Sequence, residues 1–119
     1  MRYSSTFSRL INASRYSLDG LLYALRCEQA FQYEAAVFVI ICAVIVVLDV
    51  PALLAVVLIG AWIIVMCLEL VNSAVEKAFD LISEDFSPAI KAGKDMLSAA
   101  VFIMICFNVI LWVIVIVII

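Results

Sequence analysis

Uncharged residues run unbroken in three places, from Ala35 to Leu48, from Val50 to Leu68 and from Met96 to Ile119, and the charged residues fall in the intervals between them. A helix needs about 20 such residues to cross a bilayer, and the second and third runs supply them. The first run is too short alone. Extended back through Phe31 and Ala30 it makes a full span, and the extension carries Glu34 into the membrane. The pattern therefore predicts spans over about 29–48, 52–70 and 96–118. Between the first two, Leu48-Asp49-Val50-Pro51 leaves room only for a tight antiparallel hairpin, so those spans are neighbours.

Ahead of the spans the texture changes. Ser4, Ser5 and Thr6 offer N-caps to a helix with Phe7, Leu10 and Ile11 at helical spacing and with Arg9 and Arg15 among its polar positions. A segment of this kind, over about 5–26, is expected to lie on the membrane surface. Asp19 offers a second cap, to a further turn carrying Leu21, Leu22 and Leu25. Repeats, low-complexity tracts and linkers are absent from the sequence. The expectation is an all-α membrane protein of one domain, 1–119, with three transmembrane helices and an amphipathic surface helix. Arg2, Arg9, Arg15 and Asp19 leave no apolar core for a cleaved signal peptide, so the N-terminal segment is expected to persist.

Composition narrows the class. A 69% apolar and 14% charged chain is far from a soluble average. A net charge of -3 with seven Lys and Arg leaves no basic face for nucleic acid, so no nucleic-acid partner is expected. Cys27, Cys42, Cys67 and Cys106 lack the close pairing of zinc or redox motifs and read as inert buried thiols. Four arginines precede the first span, the hairpin has no basic residue, and Lys77, Lys91 and Lys94 separate the second and third spans. The excess of positive charge puts the N-terminus and the 71–95 segment in the cytoplasm and the C-terminus outside.

Acids at membrane depth are costly to keep, so their positions carry information. Spacings of three and four put Glu69, Asn72, Ser73, Glu76 and Asp80 along one helical face. Glu69 directly follows an uncharged run and lacks the long stem by which Lys or Arg reaches water. Asp80, Glu84 and Asp85 read equally well as a solvated flank. Glu28 and Glu34 open the first span, and Lys94 and Asp95 stand just before the third. Carboxylate oxygens suit Mg²⁺, which takes one or two of them and completes its shell with water and phosphate oxygens. A lysine nearby stabilises charge on a transferring phosphoryl group, and a further acid at membrane depth can accept the proton of a lipid hydroxyl. With only three glycines there is no Walker A or kinase glycine loop, and with no histidine there is no His-phosphate relay or Ser-His triad. The residues alone leave a metal-dependent site and a proton-coupled site both open.

The segments Glu28-Gln29-Ala30-Phe31-Gln32-Tyr33-Glu34, Glu69-Leu70-Val71-Asn72-Ser73-Ala74-Val75-Glu76 and Lys94-Asp95-Met96 with Ser98-Ala99-Ala100-Val101 resemble the prokaryotic diacylglycerol kinase family over nearly the whole chain. The resemblance implies a homotrimer in a bacterial inner membrane that uses ATP-Mg to phosphorylate diacylglycerol to phosphatidic acid. It implies Glu69 as general base and Glu28 and Glu76 as metal ligands. On the ATP side it implies Arg9, Tyr16, Glu28, Asn72, Glu76, Asp85, Phe86, Ser87, Lys94 and Asp95. On the lipid side it implies Arg9, Ser17, Ala30, Phe31, Glu34, Leu48, Asp49, Glu69, Ser98 and Trp112.

Some positions depart from the family pattern. Gln32 replaces a common arginine, Asp85-Phe86-Ser87 stands where many members have Glu-Tyr-His, and Gly93 replaces an alanine. A sister branch phosphorylates undecaprenol, and Glu34 in its Ala-Phe-x-x-Glu context is more similar to the diacylglycerol branch. A small proton-coupled multidrug transporter is a rival from another class. Such transporters usually have four spans with the acid buried mid-span, unlike the interfacial acids here.

Overall fold

A computed structural model describes residues 5–82 and 85–119; Arg2, Ser4 and Glu84, named above, lie outside them. The chain folds into four helices in sequence order: α1 (Thr6–Cys27), α2 (Gln29–Val47), α3 (Ala52–Ile82) and α4 (Pro88–Ile118). Among the described residues there is no strand. Three of these helices, α2, α3 and α4, are long and apolar enough to cross a membrane.

Ser5 caps α1, its side chain accepting from Ser8 N–H at 3.2 Å. The helix then continues through Asp19 and Gly20 without interruption, so Asp19 does not start a separate turn. An aspartate in mid-helix loses only a few tenths of a kcal/mol of propensity, and the leucines on both sides bind the two halves into one amphipathic face. Only Ala24 of α1 is buried, while Phe7, Leu10, Ile11 and Leu18 are exposed. An apolar face with no protein partner is what a helix lying in the interface presents to lipid.

Glu28 alone separates α1 from α2. Its extended backbone (φ -105, ψ 108) ends one helix and precedes the next. The side chain of Gln32 reaches back across the break, Nε2 donating to the Leu25 carbonyl at 2.9 Å. That bond satisfies one of the acceptors a helix C-terminus leaves open.

The hairpin between α2 and α3 is closed by a specific backbone device. Asp49 sits in the left-handed region (φ 52), its N–H donates to Val46 O at 3.2 Å, and Val50 N–H donates to Ile45 O at 3.1 Å. These are the paired bonds of a Schellman motif, with Ile45 and Val50 making its hydrophobic contact in the core. Pro51 then opens α3, where its missing N–H costs nothing.

At 31 residues each, α3 and α4 are about 46 Å long, well beyond a hydrocarbon core of about 30 Å. They continue past the apolar cores at 52–70 and 96–118 and convert most of the 71–95 segment into helix. The core is a thin seam where Ile41 and Ile45 of α2, Leu58, Trp62 and Val65 of α3, and Val101 and Val115 of α4 meet. Two polar bonds pin it: Trp62 Nε1 donates to Glu34 O at 2.9 Å, and Asn108 Nδ2 donates to Ala61 O at 3.2 Å. The cysteines do not join this seam. Cys27, Cys67 and Cys106 are exposed and Cys42 is partly so, because helices crossing a membrane can turn apolar side chains outward.

Candidate functional site

Burial along the acidic face of α3 is graded. Glu69 and Asn72 are 7% and 8% exposed, Ser73 and Glu76 are half-buried, and Asp80 is exposed. The face thus runs from the protein interior to the aqueous end of the helix. Glu69 and Glu76 are two turns apart, about 10 Å along α3.

At the deep end, three side chains converge. Asn72 Nδ2 approaches Glu69 Oε1 at 3.5 Å, and the carboxyl of Glu34, 8% exposed, meets that of Glu69 across the α2–α3 contact. Glu34 Oε2 and Asn72 Oδ1 are buried with no hydrogen-bond partner. The three lysines are all engaged elsewhere, so no lysine neutralises this pair. On the other side of Glu69 and Asn72, between α3 and α4, lies a cleft of about 420 Å³ that Ser98, Val101 and Phe102 complete. It joins two polar residues and a hydroxyl to an apolar wall, as a lipid alcohol requires.

One or two turns further out, α3 is tied to both of its neighbours. Lys77 Nζ lies 2.7 Å from Glu28 Oε1, holding the α1–α2 break. Asp80 Oδ1 lies 2.9 Å from Lys94 Nζ on α4. Asp95 is paired within its own helix, to Lys91 at 2.6 Å. Around these groups are two openings. Ser17, Tyr23, Glu28 and Ser73 line one of about 480 Å³, and Asp80, Asp85, Phe86, Ser87, Lys94 and Asp95 share one of about 270 Å³. Gly93 admits the ring of Phe79, since a Cβ there would lie 2.8 Å from Phe79 Cζ. The departure from alanine therefore has a packing partner.

The lipid-side residues expected from the sequence do not form one group. Ser98 and Glu34 join Glu69, and Ser17 lies in the opening beside Glu28. Phe31 is buried and lines an entirely apolar cleft of about 400 Å³ with Phe38 and Met66, whereas Ala30 is exposed. Leu48 and Asp49 are at the hairpin, about 20 Å along α2 from Glu34. Trp112 lines another apolar cavity, of about 320 Å³, with Trp62 and Asn108. Those three positions are too far away to touch a group reacting at Glu69. Arg9 and Tyr16 are exposed on the outer part of α1, about 28 and 18 Å along that helix from Glu28.

Sequence reading overlooked Lys77, Trp62 and Asn108. Asn108 had a signal, as the lone amide in the run from Met96 to Ile119. Trp62 had none, since a tryptophan in an apolar run reads as packing.

The donor set suits a hard divalent cation but does not enclose one. No cluster of three acidic or thiol side chains occurs among the described residues. Glu28 is engaged through one oxygen, and Glu76 makes no ion pair among the described residues. Two carboxylates would leave the remaining positions of a Mg²⁺ shell to water and phosphate oxygens.

Comparison with known proteins places the chain as a whole. The model of the prokaryotic diacylglycerol kinase family matches residues 15–116. A diacylglycerol kinase of Escherichia coli K12 is 39% identical over 106 residues, covering 89% of this chain and 87% of that protein. One of Haemophilus influenzae is 36% identical over 111 residues, covering 92% and 94%. One of Pseudomonas aeruginosa is 36% identical over 104 residues, covering 87% and 85%. Three membrane-crossing helices with buried acids at one end, matched over nearly their full length, make this chain a member of the prokaryotic diacylglycerol kinase family.

Proposed function

We propose that the protein is an ATP-dependent lipid kinase that moves the terminal phosphoryl group of ATP to the free hydroxyl of diacylglycerol, giving phosphatidic acid and ADP. The observation that carries this reading is the pairing of buried Glu69 and Asn72 with Ser98 in a cleft whose other wall is apolar. Glu69 takes the hydroxyl proton as the oxygen attacks phosphorus, and Asn72 holds its carboxylate in place. Glu28 and Glu76 would hold Mg²⁺, which when bound would neutralise phosphate charge. Lys94 and Asp95, with Asp85, Phe86 and Ser87, receive the nucleotide at the outer opening. Ser98 orients the acceptor hydroxyl, and the apolar cleft at Phe31 takes acyl chain.

The protein is a bacterial membrane protein. Its lysines all lie toward one end of the bundle, which supports a cytoplasmic site in the inner membrane and an outer C-terminus. A homotrimer with sites shared between chains is supported by Arg9. If that residue serves a nucleotide, about 28 Å of straight helix keeps it from the Glu28 of its own chain, and a neighbour's site is the alternative.

The test is ATP-dependent phosphorylation of diacylglycerol and undecaprenol side by side in mixed micelles. Turnover of diacylglycerol well above undecaprenol supports the assignment. The reverse order moves the protein to the undecaprenol branch, and turnover of neither refutes the kinase reading.

A further inference from the structure

Lys77 follows Glu76 directly in α3, and its ammonium group lies 2.7 Å from Glu28 Oε1 and 5.2 Å from the centre of the Tyr23 ring. The Lys77 side chain is half exposed and that of Glu28 largely covered, so the pair stands at the rim of the opening lined by Ser17, Tyr23 and Ser73. A full positive charge therefore occupies one oxygen of a carboxylate assigned above to a divalent cation. A protonated lysine has no lone pair to offer a metal and repels one. The other lysines are held by Asp80 and Asp95 and do not share this position.

We propose that Lys77 is a built-in counter-cation for Glu28 that competes with the divalent metal and yields its place only when nucleotide phosphates arrive with that metal. The inference rests on Glu28 being a metal ligand. Without metal, Lys77 neutralises Glu28, orients it, and holds the α1–α2 break against α3. Bare metal must displace the ammonium group and leave it without a partner. A metal–nucleotide complex brings phosphate oxygens to which the ammonium can turn, and the flexible four-carbon stem permits the move. Lys77 is thus a positioning residue that distinguishes bare metal from metal bound to a nucleotide.

The test is Mn²⁺ binding to the full-length protein in lipid nanodiscs, read from the electron paramagnetic resonance of free Mn²⁺. It is run with and without a non-hydrolysable ATP analogue. Lys77→Met is expected to bind bare Mn²⁺ about twofold to fivefold more tightly, the scale of a half-exposed charge pair. The gain should shrink when the analogue is present, because its phosphates also lose a partner. Lys77→Gln should move in the same direction, and Lys77→Arg, which keeps the charge, should stay within about twofold of the parent. Glu28→Gln should lose Mn²⁺ in both conditions. If Glu28→Gln loses Mn²⁺ but both neutral Lys77 variants bind bare Mn²⁺ no better than the parent, the competition is refuted and the ligand assignment survives. If Glu28→Gln binds like the parent, the ligand assignment falls and this inference falls with it.

Discussion

Glu69, the base in the proposed reaction, has an amide on one side and a second carboxyl on the other. Replacing it with glutamine keeps the shape and removes the proton acceptor. The expected result is a fall in kcat of about 10²-fold to 10⁴-fold with little change in the KM for ATP. A raised KM with unchanged kcat would make Glu69 a nucleotide residue instead. Glu28→Gln and Glu76→Gln are expected to abolish turnover at ordinary Mg²⁺ concentrations while the helical content, checked by circular dichroism, stays unchanged. The acidic stripe was legible in sequence because a charge beside an uncharged run needs a reason. The ion pairs were not. Lys94 and Asp95 stand side by side in sequence, but neighbours in a helix point about 100° apart. The structure pairs them with Asp80 and Lys91 instead.

Among the elements, the α2–α3 hairpin and the α3–α4 contact each depend on one unusual residue. Asp49 holds a positive φ of 52, which a β-branched side chain adopts only with strain. Asp49→Val is expected to destabilise the protein by about 1–2 kcal/mol, and Asp49→Gly to be neutral or stabilising, in thermal unfolding followed in nanodiscs. Asn108 bonds to Ala61 O from α4 while its own carbonyl oxygen remains buried without a partner. Asn108→Ala should cost about 0.5–2 kcal/mol in the same measurement, the range for a bond between helices in a membrane, with turnover near the parent value. The hairpin was readable from Asp49 and Pro51, since turn residues between two apolar runs leave one solution. The lengths of α3 and α4 were not, because hydropathy marks where a helix leaves lipid and not where it ends. No sequence pattern distinguished a mid-helix Asp19 from a cap, and the structure runs α1 straight through it with the flanking leucines still exposed on the helix surface.

For the whole molecule, the need to hide polar groups does not by itself call for an oligomer. One chain already buries Glu34, Glu69 and Asn72 to within 8% of exposure. The better reason is reach, since Arg9 lies far along α1 from its own acids. Mixing inactive Arg9→Ala and Glu69→Gln subunits, then unfolding and reassembling them together, is expected to restore activity. Some mixed assemblies would contain a site free of both defects. No recovery in demonstrably mixed assemblies would put every site within one chain. The single-residue break at Glu28 has a mechanical side as well. The surface helix extends about 30 Å from that residue, so by geometry alone a swing of about 10° there would lift Phe7 by about 5 Å. The same swing displaces the pivot hardly at all. Undulations of the bilayer surface would then be taken up far from the carboxylate at the fulcrum, which would keep its place.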